Sequence, residues 1–178
     1  FVERDLADLA RLRDLLPFRT LQRIAMLRTG QLLNYTEVGR DAALPAATAR
    51  RYLEYLRLTW QAVLLPPYST NLTSAVVKTP KLYWVDLGLW RQGTGIWGPL
   101  DGAGFETLVI SEVQKWVSTL GRDVRLSFYR THNGLEVNLL IERGHEVLNL
   151  EIKNRAEATL HDAQSLGALA EALGKRWM

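Results

Sequence analysis

The chain has 178 residues, 47% of them apolar, with 22 Lys and Arg against 19 Asp and Glu, a net charge of +3 and a pI near 9.3. That is enough chain for one large or two small domains with real cores, and the mild basicity permits nucleic-acid binding without requiring it. Disulfides and thiolate metal sites are excluded by the absence of Cys, a membrane-spanning helix by the lack of a long apolar run, and a histidine zinc site by the scatter of His132, His145 and His161. The opening Phe1-Val2-Glu3-Arg4-Asp5 carries charge where a signal peptide needs an apolar run, and no initiator Met precedes it. The expectation is a cytoplasmic piece of a longer protein, with no membrane contact.

In chain order, residues 3–16 read as a helix with Leu6, Leu9, Ala10, Leu12 and Leu16 on one apolar stripe, ended or broken at Pro17. A second helix follows over residues 18–28, with Gly30 as its stop. Thr36 is placed to cap a short helix through its hydroxyl. Leu44-Pro45 turns the chain into a third helix over residues 46–58, which buries Ala49, Leu53 and Leu56 and exposes Ala46, Ala47, Arg50, Arg51 and Glu54. Helix, short helix, turn, helix is the helix-turn-helix order. Residues 62–68 and 76–85 supply the arms of a hairpin, so the unit is expected to be winged. In such units the start of the last helix enters the major groove. Ala46, Ala47 and Thr48 allow close approach there, Arg50 and Arg51 reach phosphates or guanine edges, and Lys78 and Lys81 of the wing add backbone contacts. The competing reading pairs Arg50 with Glu54 on a solvated helix face and makes the unit a protein-docking module. The six Trp residues read as core and hairpin packing rather than base-stacking platforms.

The Gly- and Pro-rich stretch 91–99 marks a boundary. Beyond it a helix is expected from Gly102 or Ala103 to Leu120 with Phe105, Leu108, Val109 and Val113 inward. A strand over residues 124–130, a hairpin and a final helix over residues 159–173 complete a helix-flanked sheet. The hairpin carries the chemistry. Gly144-His145 suits a type II′ turn, which pairs Arg143 with Glu146, Asn138 with Glu151 and Glu136 with Lys153. Alternation then puts Val137, Leu139, Ile141, Leu148, Leu150 and Ile152 on one core face. The other face carries Glu136, Asn138, Glu151 and Lys153 as a compact polar patch. Carboxylates can hold Mg²⁺, and a lysine beside them can orient a water or stabilise a phosphate. The plainer alternative is a cross-strand salt bridge between Glu136 and Lys153.

Glu151-Ile152-Lys153, with Asn138 thirteen residues earlier and Glu106 on an upstream helix, resembles the PD-(D/E)XK nuclease core, where a helix Glu and a strand Asp precede Glu-x-Lys. Glu106, Glu151 and Lys153 match, and Asn138 stands where the Asp is expected. The resemblance implies Glu106, Asn138, Glu151 and Lys153 as catalytic positions, with Mg²⁺ on Glu106, Glu151 and Asn138. An amide brings no negative charge, so a weakened or inactive site is expected.

A longer ordered set runs through Glu3-Arg4-Asp5-Leu6, Gly30-Gln31-Leu32-Leu33-Asn34-Tyr35, Leu65-Pro66-Pro67-Tyr68, Lys78-Thr79-Pro80-Lys81-Leu82-Tyr83, Asp86-Leu87-Gly88-Leu89, Gly104-Phe105-Glu106, Glu136-Val137-Asn138 and Glu151-Ile152-Lys153. As a set it is similar to the C-terminal part of a bacterial and archaeal family of AAA-type ATPases. That resemblance implies an α+β chain. A connecting helix (1–17) leads into a winged helix-turn-helix domain (18–90), a linker (91–101) and a degenerate PD-(D/E)XK, restriction-endonuclease-like α/β domain (102–178). The chain has no G-x-x-x-x-G-K-S/T segment, so ATP belongs to an ATPase domain outside it. The expected function is nucleic-acid binding, DNA foremost, by the C-terminal region of such an ATPase, with its own ATPase domain as partner. The rival expectations are an active Mg²⁺-dependent DNA nuclease and a protein-interaction module of the ATPase.

Overall fold

The computed structural model describes residues 15–68, 77–121 and 123–173. The helix expected over residues 3–16 lies outside them except for its end. The first described helix, α1 (Leu16–Leu27), carries Pro17 in its first turn, where a missing N–H costs nothing and the fixed φ suits the helix. Pro17 therefore sits inside a helix start. Gly30 (φ 77) follows as the expected stop. The short helix α2 (Tyr35–Asp41) is capped by Asn34 rather than Thr36: the Asn34 Oδ1 accepts the N–H groups of Thr36 at 3.0 Å and Glu37 at 3.2 Å. Helix α3 (Ala46–Leu58) has the expected bounds, burying Ala49, Leu53 and Leu56 together with Tyr52.

These helices close over a small antiparallel sheet of order β1-β3-β2, formed by β1 (Gln31–Leu32), β2 (Ala62–Leu65) and β3 (Lys81–Trp84). The sequence carries no obvious mark of β1. Residues 69–76, which join the two hairpin arms, lie outside the described residues. The first core gathers Phe18, Leu21, Val38, Leu53, Leu56, Trp84 and Trp90. Helix α4 (Leu87–Thr94) is capped by Asp86 and ends at Gly95 (φ 76), so residues 91–94 of the expected linker are its last turn. Trp84 and Trp90 are core as expected, whereas Trp60, Trp97 and Trp116 are mostly exposed.

The second half begins with α5 (Gly102–Leu120), capped by the Asp101 side chain and stopped by Gly121 (φ 59). A second antiparallel sheet, β4 (Arg125–Arg130), β5 (Glu136–Arg143) and β6 (Glu146–Leu150), follows in order β4-β5-β6, and then α6 (Gln164–Leu173), which starts later than expected. The fully buried stripe of α5 is Gly104, Thr107, Ile110, Ser111 and Val117, while Phe105, Leu108, Val109 and Val113 are half-buried. The stripe differs because α5 also packs toward the first half. Thr107 and Thr29 hydroxyls meet at 2.8 Å, and Trp84 N–H donates to Thr29 Oγ1 at 3.0 Å.

The two sheets are joined through the backbone. After β2, Phe128 N–H donates to Pro66 O at 3.0 Å and Tyr68 N–H donates to Phe128 O at 2.6 Å. On the returning arm, Val77 N–H donates to Arg130 O at 2.9 Å. The root of the first-half hairpin thus runs along β4, a parallel bridge joining Pro67 and Phe128. The whole is a mixed α+β chain with six helices and two small antiparallel sheets among the described residues.

Gly39 sits where α2 meets the turn into α3, and a Cβ there would lie 2.8 Å from Leu44 O and 3.3 Å from Ala46 Cα. Both neighbours are backbone and cannot rotate away. Gly39→Ala is expected to cost about 1–3 kcal/mol in urea unfolding, as overpacking does. Gly98→Ala, with nothing within 4 Å, should stay within about 0.5 kcal/mol of the parent.

Candidate functional site

The β5–β6 hairpin has the expected register, Arg143 facing Glu146, Ile141 facing Leu148 and Leu139 facing Leu150. Gly144 has φ 61 and His145 does not share that sign, as a type II′ turn requires. The other edge of β5 departs from a regular ladder. Ser127 pairs with Leu140 but Tyr129 pairs with Val137, so Asn138 and Leu139 together oppose Phe128. One extra residue on β5 is a β-bulge, and it inverts the facing of everything before it.

The bulge overturns the expected two-faced pattern. Leu139 and Ile141 stay with Phe128 and Ile110 under α5, but Val137 turns to the opposite side, with Tyr129, Leu140, Val147 and Leu169 of α6. Both faces of the sheet are therefore core. Leu148, expected inside, is 52% exposed. Its side chain borders an apolar groove of about 280 Å³ with Trp116, Val117, Leu120 and Val147.

Glu136 is turned with the bulge toward the first half, and there it meets Lys81. The Lys81 ammonium is ion-paired with both Glu106 of α5, at 3.0 Å, and Glu136 of β5. Tyr83, two residues along the same strand face, donates its hydroxyl to Glu106 at 2.6 Å, and Arg130 reaches Glu136 at 3.2 Å. The Phe128 ring lies 5.6 Å from the Lys81 ammonium. Lys81 is 2% exposed. It is not a wing residue available to a DNA backbone, which corrects the expectation for that position. Lys78 is exposed. The expected Glu136–Lys153 bridge is replaced by separate pairs, since Lys153 bonds Glu151 at 2.7 Å.

The remaining patch residues are also engaged. Asn138 is buried and its Oδ1 accepts the Ile152 N–H at 2.8 Å, carrying the hairpin pairing past the end of β6. Glu151 is largely buried, with Lys153 on one side and Ser165 Oγ at 3.5 Å on the other. A polar cavity of about 330 Å³ brings Glu136, Glu151 and Lys153 together with His161, Gln164 and Ser165. Glu106 faces Lys81 instead. The expected Mg²⁺ set of Glu106, Asn138 and Glu151 does not converge on one metal position here: Glu106 turns to Lys81 and Tyr83, the Asn138 oxygen accepts Ile152 N–H, and Glu151 is paired with Lys153 beside the cavity. Among the described residues no three acidic, His or Cys side chains group around a common point. The participation of Lys81, Tyr83 and Arg130 was missed from sequence. The available signal was the spacing of Lys81 and Tyr83, which puts an ammonium and a phenol on one face of a buried strand.

On α3, Ala46, Ala47, Arg50 and Arg51 are exposed. The helical pair weighed for Arg50 does not form: Glu54 binds Arg57 through both oxygens, at 2.9 and 2.5 Å. That hydrogen bond holds the Glu54 carboxyl below its usual range. The Arg50 guanidinium lies 5.6 Å over the Tyr35 ring and that of Arg51 5.8 Å from the Tyr52 ring.

Two measurements check the buried cluster. Lys81→Met removes the cation that Glu106 and Glu136 share, leaving Glu106 with only the Tyr83 hydroxyl and Glu136 with only Arg130, and removing one partner of a buried pair is expected to cost about 3–5 kcal/mol in urea unfolding. Lys153 is 45% exposed but its partner Glu151 only 10%, so Lys153→Met should cost less than Lys81→Met, about 1–3 kcal/mol. Tyr83 supplies the second test. Burial first, and then the negative charge of Glu106, push its phenol well above its ordinary value. The unfolded chain loses that proton from about pH 10 upward while the folded chain keeps it. Stability should therefore fall by about 1.4 kcal/mol per pH unit above pH 10 on account of this group. Tyr83→Phe should remove that part of the slope, as read from unfolding midpoints at pH 9 to 11.5.

No helix among the described residues is long and apolar enough to cross a membrane. No solved structure matches this chain. Two relatives, Uncharacterized protein Mb2031c of Mycobacterium bovis and Uncharacterized protein Rv2008c of Mycobacterium tuberculosis, are each 29% identical to it over 170 residues, which is 90% of this chain and 37% of the relative. The chain thus spans little more than a third of the length of the curated relatives it matches. A family model described as Domain of unknown function (DUF4143) matches residues 101–177. A second, described as Domain of unknown function (DUF8612), matches residues 1–98, more than half of the chain, and the chain belongs to that family.

Proposed function

We propose that this chain is the nucleic-acid-binding C-terminal region of an AAA-type ATPase, joining a winged helix-turn-helix unit to an inactive nuclease-like domain. The observation that carries the reading is the free face of α3. Arg50 and Arg51 project from its first two turns, beside the small exposed residues Ala46 and Ala47, and neither forms an ion pair with a described carboxylate. Glu54, the nearest candidate, is held by Arg57. Three helices followed by a hairpin, with a short third strand giving the order β1-β3-β2, support the winged-helix reading. In that architecture the start of α3 enters the major groove, and exposed guanidiniums there bind phosphates or guanine edges.

Three features support an inactive second half. Asn138 stands in place of a carboxylate, its amide oxygen is occupied by Ile152 N–H, and Glu106 is held by Lys81 and Tyr83. The greater length of the relatives leaves room for an ATPase portion outside this chain.

Binding of this chain to labelled duplex DNA, measured by fluorescence anisotropy across a salt series without divalent metal, tests the reading. Affinity should fall steeply with salt. Arg50→Ala/Arg51→Ala should weaken binding at least tenfold and reduce the log–log salt slope by about 1 to 2, one phosphate contact per arginine. Absence of binding even at low salt, or an unchanged affinity in the double variant, rejects DNA recognition by α3.

A further inference from the structure

We infer that the Lys81 ammonium is a built-in cation that takes the place of a divalent metal in the nuclease-like half. The inference deepens the reading of that half as inactive, and it rests on the geometry of these side chains whether or not α3 meets DNA.

The first argument is position. Glu106 comes from α5 and Glu136 from β5, distant elements whose carboxylates converge on one point. A pair of converging, largely buried carboxylates repels itself unless a cation lies between them. That cation is the tip of a side chain from β3, in the other half of the chain, and its own exposure is 2%. Its approach is shaped by neighbours that leave little else for it to do. Tyr83 Oη donates to the same Glu106 oxygen that receives Lys81, and the Phe128 ring packs against the ammonium.

The second argument is charge. The carboxylates of this region are Glu106, Glu136, Glu151 and Asp162, and their cations are Lys81, Arg130, Lys153 and Arg155. Four negative groups face four positive ones. A hard divalent ion binds where carboxylates exceed cations and oxygens can turn toward it. Here the balance is already zero, and the amide oxygen nearest the set is bound to a backbone N–H. A covalently tethered ammonium is present at a fixed site at any metal concentration, and it cannot leave without taking from Glu106 and Glu136 the cation they share. The centre is therefore metal-independent, and Lys81 is what makes it so.

The experiment counts bound Mn²⁺ by the loss of its free electron paramagnetic resonance signal, with circular dichroism as the check on folding. The parent chain and Glu106→Gln should bind the same small number of Mn²⁺ ions, all of them weak surface ions. Lys81→Met, with the ammonium removed and the carboxylates intact, should gain one Mn²⁺ per chain and a rise in Tm with Mn²⁺. Lys81→Met/Glu106→Gln should lose both. A Mn²⁺ ion bound by the parent and lost in Glu106→Gln overturns the inference, and so does a folded Lys81→Met chain that binds no more Mn²⁺ than the parent. If Lys81→Met does not fold even with Mn²⁺ present, the comparison of parent with Glu106→Gln decides alone. These outcomes are independent of DNA binding, so failure here and failure of the α3 reading are separable.

Discussion

One ammonium group buried between two carboxylates sets the arrangement of the molecule. Lys81 belongs to β3, Glu106 to α5 and Glu136 to β5, and the three elements share no covalent neighbourhood. An ion taken out of water carries a desolvation cost of several kcal/mol that only close, well-directed partners offset. The three elements are thus held to one mutual placement, since any separation leaves a charge buried and unpaired. The Thr29–Thr107 hydroxyl contact and the strand-like run of residues 66–68 along β4 act in the same direction with neutral groups. The two halves that match separate family models are, physically, one packed body at this seam.

The bulge at Asn138 and Leu139 is the local device that lets the seam form. Without it Glu136 would share the face of Tyr129 and Leu140, whose core members are apolar. The extra residue rotates Glu136 toward Lys81 and Arg130 and delivers Val137, an apolar side chain, to the face it vacates. A bulge costs a ladder bond and leaves a residue unpaired. Here the Asn138 side chain recovers one bond by accepting Ile152 N–H. An Asp at that position would accept the same bond, but it would bring a further negative charge to a set that is already balanced.

These details explain which parts of the fold were legible in the sequence. The β5–β6 register followed from Gly144, because only one turn geometry suits a glycine at the first central position between alternating runs. Helix α3 followed from Leu44-Pro45 and the spacing of Ala49, Leu53 and Leu56, all local signals. The bulge was not legible, since Glu136-Val137-Asn138-Leu139 alternates as cleanly as any regular strand. What breaks its parity is an ion pair with a residue 55 positions earlier. Lys81 was misread for the same reason. Lysine after a Thr-Pro pair looks like a solvated hairpin residue, and its burial depends on carboxylates that only the tertiary fold supplies. The Asn34 cap was missed on a smaller scale: Asn34 and Thr36 both cap well, and the choice between them lies in where the backbone leaves β1.

The charge balance also constrains where a polyanion could approach. A cluster in which Lys81, Arg130 and Lys153 are each matched by a carboxylate has little net field to draw phosphate inward. Lys153, the member most open to water, is paired with Glu151 at 2.7 Å. Attraction must then come from cations without such partners, and on the described surface Arg50 and Arg51 of α3 fit that condition. In the second half Glu106, Glu136 and Glu151 are held in ion pairs, two of them joining it to β3, while Arg50 and Arg51 stand on an exposed face of α3. Opening a metal centre in the second half requires removing a cation, so placing Asp at position 138 alone leaves Lys81 between Glu106 and Glu136 and the centre closed.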